Sequence, residues 1–255
     1  MSIDCIIQAR MGSTRLPGKV MMNIDKNIVL SYVIDQLGNS KKLDKIIIAT
    51  TNLKEDDIIV NFLNKKKIKV FRGDSKNVLD RYYQCAKKFS CKNIVRITAD
   101  NPLIDPIIVD EVIDKFFSNS YDYVSNTHPR TFPYGTEVEV FSFQSLEKVW
   151  KNANKPSEKE HVTPYFYNNK NKFKISNVKY SEDISHLHWT VDRENDLKLV
   201  KKIVLNIKKR PILMNDIIQL ISKNPEWINL NKDYVPDEAY TKSLKEDKML
   251  EKNNL

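Results

Sequence analysis

Near its start the chain passes from a short apolar run, Cys5-Ile6-Ile7, straight into a loop crowded with small residues and cations: Gln8-Ala9-Arg10-Met11-Gly12-Ser13-Thr14-Arg15-Leu16-Pro17-Gly18-Lys19. The apolar run reads as a buried strand. A strand feeding such a loop at the C-terminal edge of a sheet is where α/β proteins bind nucleotides. Glycine and serine let backbone N–H groups turn toward an anion, and arginine adds a forked donor that suits phosphate. The loop has neither the Gly-x-Gly-x-x-Gly of dinucleotide sites nor the Gly-Lys-Ser/Thr of the P-loop. Taken singly, Arg10 or Lys19 reads as an exposed surface cation. Arg10, Arg15 and Lys19 together in one small-residue loop point to phosphate.

Apolar periodicity then alternates between strand and helix. Residues 28–40 have helical spacing, 45–51 read as a strand, 54–66 as a helix, 69–72 as a strand, 74–89 as a helix and 93–98 as a strand. Glu55, Asp56 and Asp57 suit the positive N-terminal dipole of the second helix. Such alternation implies right-handed crossovers and a mostly parallel sheet. Further on, helices are expected over 107–117, 142–152 and 194–206, with short strands at 121–126, 173–178 and 189–191. Asp105, before Pro106, reads as an N-cap, and Ser157 with Glu160 as a capping box. The expected architecture is a three-layer α/β sandwich on a mixed, mostly parallel sheet. A nucleotide-handling domain spans 1–210, and a helical appendage and polar tail follow at 211–255.

The remaining composition excludes several classes. At 255 residues with 41% apolar content, the chain is long enough for one large α/β core. No apolar run approaches the length of a membrane span, and no leader segment is expected before the first strand. Cys5, Cys85 and Cys91 are too few and too scattered for a disulfide framework or a zinc site, which favours a reducing cytoplasm. The net charge of +9 requires nucleic-acid binding to be weighed. The excess is lysine doublets without interleaved aromatics, so these read as solvated helix faces that also attract anionic substrates.

The Gln-Ala-Arg-Met-Gly-Ser-Thr-Arg-Leu-Pro-Gly-Lys loop resembles the signature of cytidylyltransferases that make CMP-activated acidic sugars. The likeness is greatest to the spore-coat-polysaccharide type, which is similar to CMP-3-deoxy-octulosonate and CMP-acylneuraminate synthetases. It covers roughly residues 3–205. It implies a nucleotide-diphospho-sugar-transferase-like fold in which Gln8, Ala9, Arg10, Gly12, Ser13, Arg15 and Lys19 wrap the triphosphate of CTP. Base recognition is implied near Ala9 and in the Thr50-Thr51 and Arg72-Gly73-Asp74 loops. Arg81, next to Asp80, reads equally as half of an ion pair or as a ligand contact.

A carboxylate just past a buried strand, as Asp100 is, can hold a cation or cap the turn before Pro102. Asp100-Asn101-Pro102 looks like the family's metal motif, which favours the cation. Val191-Asp192-Arg193-Glu194-Asn195-Asp196 is similar to its second motif, usually Ile-Asp-Thr-Pro-Glu-Asp, with Arg193 in place of the threonine. Asp192 is then the second magnesium ligand, its alternative being a helix N-cap, and Asp196 is expected to face solvent. On the substrate side the resemblance implies the loop with Tyr134 and Gly135, then Glu137 and Glu139, with His161 and His188 as further candidates. Glu137 and Glu139 share one face of an extended segment and read equally as a solvated edge. His161 also reads as a packed histidine. His186 and His188 lie two apart, but oxygen-rich phosphate chemistry argues against zinc there. The region about 130–185 is implied to protrude and pair subunits into a homodimer.

The reaction implied is attack by an oxygen of an acidic sugar on the α-phosphorus of CTP, with pyrophosphate leaving. Arg10, Arg15 and Lys19 hold the phosphates, and Asp100 and Asp192 hold Mg2+. No dedicated general base is evident. One alternative is a small phosphorylated substrate and a CDP-linked product, since a phosphate nucleophile needs no base. Another is a glycosyltransferase of similar sheet plan, although the fourth strand lacks an Asp-x-Asp. No nucleic-acid partner is expected.

Overall fold

The computed structural model describes residues 2–253. β1 (Asp4–Gln8), α1 (Val29–Leu37), β2 (Lys45–Thr51), α2 (Asp57–Lys65), β3 (Lys69–Gly73), α3 (Val78–Lys88) and β4 (Asn93–Thr98) alternate as the periodicity predicts. They are followed by α4 (Pro106–Ser118), β5 (Tyr123–Ser125), β6 (Glu139–Ser142), α5 (Phe143–Asn152), α6 (Pro156–His161), α7 (Pro164–Asn168) and β7 (Ile175–Asn177). The chain continues through α8 (Glu194–Asn206), α9 (Met214–Lys223) and α10 (Glu238–Asn253).

Seven strands form one sheet in the order β3-β2-β1-β4-β6-β5-β7. β1 pairs in parallel with both β2 and β4, whereas β6 is antiparallel to β4 and β5. The mixed, mostly parallel expectation therefore holds. Strand side chains alternate between the two faces. Cys5, Ile7, Ile48, Val95 and Ile97 pack on one side with α1, α4 and α8. Ile6, Ile47, Ala49 and Ile94 pack on the other with α3 and α5. The result is three layers.

Local chemistry sets the boundaries. α3 starts at Val78, later than expected, because the Asn77 side chain accepts a hydrogen bond from Asp80 N–H and caps it. Asp105 caps α4 through Ile107 N–H, and its other oxygen accepts from Met214 N–H, so one carboxylate joins two helix starts. Cys5, Cys85 and Cys91 are free and buried, and burial pushes their thiols up, which makes them core residues.

Three expectations are corrected. Residues 189–191 form no strand: the chain makes only a bridge between Tyr134 and His188, then one bond from Val191 N–H to the Asp100 carbonyl. Ser157 and Glu160 form no capping box. α6 starts two residues earlier, with Lys155 at the N-cap position, Glu158 caps it by accepting from Asn154 and Lys155 N–H, and Ser157 and Glu160 face other partners. The segment 130–185 contributes β6 and β7 to the sheet and buries Phe132, Val140, Phe141, Phe166 and Phe173 in the core. Most of it is thus body rather than protrusion.

Gln36 on α1 is a buried tie between distant segments. Its amide donates to the carbonyls of Ile104 (3.0 Å) and Ile212 (2.6 Å) and accepts from Ile212 N–H (2.9 Å). Gln36→Leu keeps the volume but strands these backbone groups. It is expected to cost about 2–4 kcal/mol in urea denaturation without changing the far-ultraviolet spectrum.

Candidate active site

The strand order reverses at β1, the topological switch point where open α/β sheets bind ligands beyond the strands' C-terminal ends. There the loops after β1 and β4, with α6 and α10, enclose a cavity of about 1110 Å³.

The first loop is built by backbone hydrogen bonds. The Met11 carbonyl accepts from Ser13 N–H (2.8 Å) and Gly18 N–H (2.9 Å), drawing the loop into a closed turn. Gly18 has φ +72°, a conformation that favours glycine, and a Cβ there would also sit 3.1 Å from Met11 Cε. A clamp from beneath completes it. Asp56, fully buried, accepts from Met11 N–H (2.6 Å) with one oxygen and from Thr51 N–H and the Thr51 hydroxyl with the other. The expectation that Asp56 serves a helix dipole missed this clamp, because the partner lies 45 residues away.

Loop closure turns Lys19 inward, and three distant segments meet on its ammonium. Lys19 Nζ lies 2.6 Å from Asp100 Oδ2 and 2.8 Å from Asp192 Oδ1, and Arg15 Nη2 lies 2.7 Å from the same Asp192 oxygen. Burial works against both charges, but the attraction prevails: the Lys19 ammonium is raised above its ordinary value and the Asp100 carboxyl is lowered. Asp100 Oδ1 is buried without a hydrogen-bond partner. Asp192 is held from behind. Asp196 Oδ2 accepts from the backbone N–H of Asp192 (3.0 Å) and Arg193 (2.7 Å), and Asp196 Oδ1 lies 3.2 Å from His188 Nε2. Asp196 is therefore buried, not solvent-facing: it stops the N-terminus of α8, and His188 holds its carboxyl low against the effect of burial.

The C-terminal segment, expected to be an appendage, forms a wall of the site. Tyr234 stacks on His188 with centroids 3.7 Å apart. Glu238 Oε2 accepts from Arg15 Nη1 (2.9 Å) and Arg193 Nη2 (3.0 Å). Farther along α10, Asp247 accepts from Ser157 N–H (2.9 Å) and its hydroxyl, and Ser243 Oγ lies 3.1 Å from His161 Nε2.

The structure brings Gln8, Ala9, Arg10, Gly12, Ser13, Arg15, Lys19, Arg81, Asp100 and His161 to the cavity. Arg10 pairs there with Glu160 at 2.8 Å. Arg81 forms no ion pair with Asp80, which instead accepts from Gln84 and Trp150. The Arg81 guanidinium is buried with Nε and Nη1 unpartnered, and burial plus the charge of Arg10 lower its pKa.

Other candidates lie elsewhere. Thr50 is buried, Thr51 is spent on Asp56, and Arg72 on the Thr51 and Leu53 carbonyls and Asp57. Asp74 caps the turn at Lys76 and Asn77, and Gly73 leaves room for the Arg81 stem, 3.1 Å from a would-be Cβ. None of these candidates lines the cavity. Glu137 and Glu139 are neither a solvated edge nor in the cavity lining. Glu137 binds Arg130, Asn101 and Gly135 N–H, while Glu139, opposite Arg96 across β4 and β6, pairs with it and accepts from the Tyr123 hydroxyl. Gly135 has φ +108° and approaches Trp189, not a ligand: a Cβ would lie 2.5 Å from that ring. Tyr134 packs between Arg130 and Tyr234. His186 is exposed and His188 buried, so they share no metal site.

A mostly parallel sheet with a cation-rich loop at its switch point, facing two carboxylates that share a lysine, suits a nucleotidyltransferase, and comparison with known proteins places the chain in that class. The family model described as cytidylyltransferase matches residues 5–252. The chain is 40% identical over 233 residues to an uncharacterised protein of Methanocaldococcus jannaschii, covering 91% of this chain and 95% of that one. It is 31% identical to the spore coat polysaccharide biosynthesis protein SpsF of Bacillus subtilis, over 87% and 94% of the two chains. Among solved structures, a cytidylyltransferase from Leptospira borgpetersenii superposes with a TM-score of 0.85 at 33% identity, covering 89% of this chain and 97% of that one. The protein belongs to the cytidylyltransferase family.

Arg96 and Glu139 supply a pH test of the site's floor. Burial would raise Glu139, but Arg96 holds it below its ordinary 4.5, so the pair stabilises the fold above that pH and is lost as pH falls through the lower value. Arg96→Met leaves the carboxylate buried and unpaired, at an expected cost of about 3–5 kcal/mol near neutrality. Glu139 then titrates above its ordinary value, so acid relieves the defect. Urea titrations from pH 7 to pH 4 should show the gap to wild type narrowing.

Proposed function

We propose that the protein transfers CMP from CTP to an acidic sugar and releases pyrophosphate, in making a surface polysaccharide or glycan. The observation that carries this reading is the convergence of Lys19 and Arg15 on Asp100 and Asp192 at the mouth of the first loop. Relatedness to a spore coat polysaccharide protein supports the polysaccharide setting.

The cation-rich loop orients the triphosphate and gathers positive charge where pyrophosphate departs. Positioning and charge neutralisation are the main demands of such a displacement. Lys19 and Arg15 lie nearest the two carboxylates and face the β- and γ-phosphates, with Arg10 beside them. The cavity wall around His161 and the polar face of α10 is where the acceptor sugar lies.

The two carboxylates fit Mg2+. Asp100 Oδ1 has no hydrogen-bond partner, and Lys19 Nζ already places a positive charge between the two side chains. Magnesium takes one or two protein carboxylates and fills its remaining positions with phosphate oxygens and water. Asp100 and Asp192 would hold it, and when bound it polarises the phosphoryl group and lowers the pKa of the attacking hydroxyl. The resemblance extends this reading to a homodimer, and buried free thiols are consistent with a reducing cytoplasm.

Asp100→Asn and Asp192→Asn are each expected to reduce CTP-dependent pyrophosphate release about 10²-fold or more. Calorimetry should show magnesium-dependent CTP binding in the wild type. Full turnover by both variants would overturn the assignment. A screen of acidic sugars and small phosphates, with product mass as readout, separates a CMP-linked from a CDP-linked product.

A further inference from the structure

Glu238 occupies a position that a free carboxylate would rarely hold by chance. One oxygen, Oε2, accepts from two guanidinium groups at once, Arg15 Nη1 at 2.9 Å and Arg193 Nη2 at 3.0 Å. Arg15 belongs to the anion-ready loop, and its other terminal nitrogen sits on Asp192, which also holds Lys19. Arg193 immediately follows Asp192 in sequence and stands where the related motif usually has threonine. The cluster is charge-balanced: Arg15, Lys19 and Arg193 face Asp100, Asp192 and Glu238. The Glu238 carboxyl is accordingly lowered, first by its hydrogen bond with Arg15.

We propose that Glu238 Oε2 marks the position of a terminal phosphate oxygen of the nucleotide, and that Arg193 binds that phosphate together with Arg15 once Glu238 is displaced. The inference rests on the CTP reading above and adds a residue and a competitor to it. Two guanidinium groups converging on one oxygen are the arrangement by which arginines clamp phosphate. Glu238 is suited to give way. It is exposed, with 41% of its side chain accessible, and it lies at the N-terminal end of α10. The helix is anchored farther along, by Asp247 on Ser157 and by Ser243 beside His161. Its first turn can therefore move off the arginines while the rest stays docked. The competing role for Arg193 is that of a tether, since its Nη1 also reaches the Asp233 carbonyl at 3.2 Å.

The test is calorimetry on the full chain with magnesium, using inorganic pyrophosphate, CTP and CMP as probes, on wild type, R193A, R193K and E238Q. R193A should bind pyrophosphate and CTP about tenfold more weakly, with R193K recovering part of the loss. CMP, which lacks the terminal phosphates, should bind R193A as it binds wild type. E238Q, relieved of the internal competitor, should bind pyrophosphate several-fold more tightly, about 3–10-fold. If R193A binds pyrophosphate as tightly as wild type or more tightly, Arg193 is only a tether and the inference is wrong. An equal loss of CMP affinity in R193A, or no gain in E238Q, overturns it as well. Wild type that binds neither CTP nor pyrophosphate would instead defeat the nucleotide reading itself.

Discussion

The ammonium of Lys19 joins parts of the chain separated by 81 and 173 residues, reaching Asp100 after the fourth strand and Asp192 before α8. Without a cation between them, two carboxylates in so enclosed a place would repel each other, and one would have to take up a proton. The close approach of these two acidic side chains beside the first loop therefore depends on this one shared charge. Such a grouping adds little net stability, since desolvation offsets much of the attraction. Its value lies in position: it fixes where two acidic side chains stand relative to the anion-ready loop.

Supporting contacts serve the same end. Asp192 does not place itself; Asp196 grips its backbone N–H, and His188 holds Asp196. Glu139 and Arg96 form a buried cross-strand pair beneath the cavity floor. The charged residues around the site thus divide into those that face the ligand space and those that hold the first group in place.

Much of this was legible in the sequence, and what was missed has a common cause. Strand and helix positions through β4 follow from apolar periodicity, a local signal. The loop cations, Asp100 and Asp192 were legible because a known signature places them together. The clamp at Asp56 and the role of Glu238 were missed because their partners are set by the tertiary fold: Met11 lies 45 residues from Asp56, and Arg15 lies 223 residues from Glu238. Asp196 was misread although its partners are local, the backbone N–H groups of Asp192 and Arg193 at the start of α8 and the nearby His188. Spacing placed Glu137 and Glu139 on one face but could not supply Arg130 and Arg96 to neutralise them. The polar composition of residues 228–255 suggested only an appended helix and a tail. In the folded chain the same polarity matches a charged wall, so Glu238 and Asp247 find arginine, serine and backbone partners.

The clamp beneath the first loop has a consequence for ligand capture. Because both oxygens of Asp56 are engaged by Met11 and Thr51, the curvature of residues 9–18 is established as the protein folds. On the nucleotide reading proposed above, an arriving anion meets a loop whose curvature is already set, and little rotational freedom of the main chain remains to be frozen on contact. The same connection makes the tip of β2 a mechanical foundation for the loop. A disturbance on the far side of that strand would be felt at the cavity as altered affinity, even without touching any group that meets the ligand.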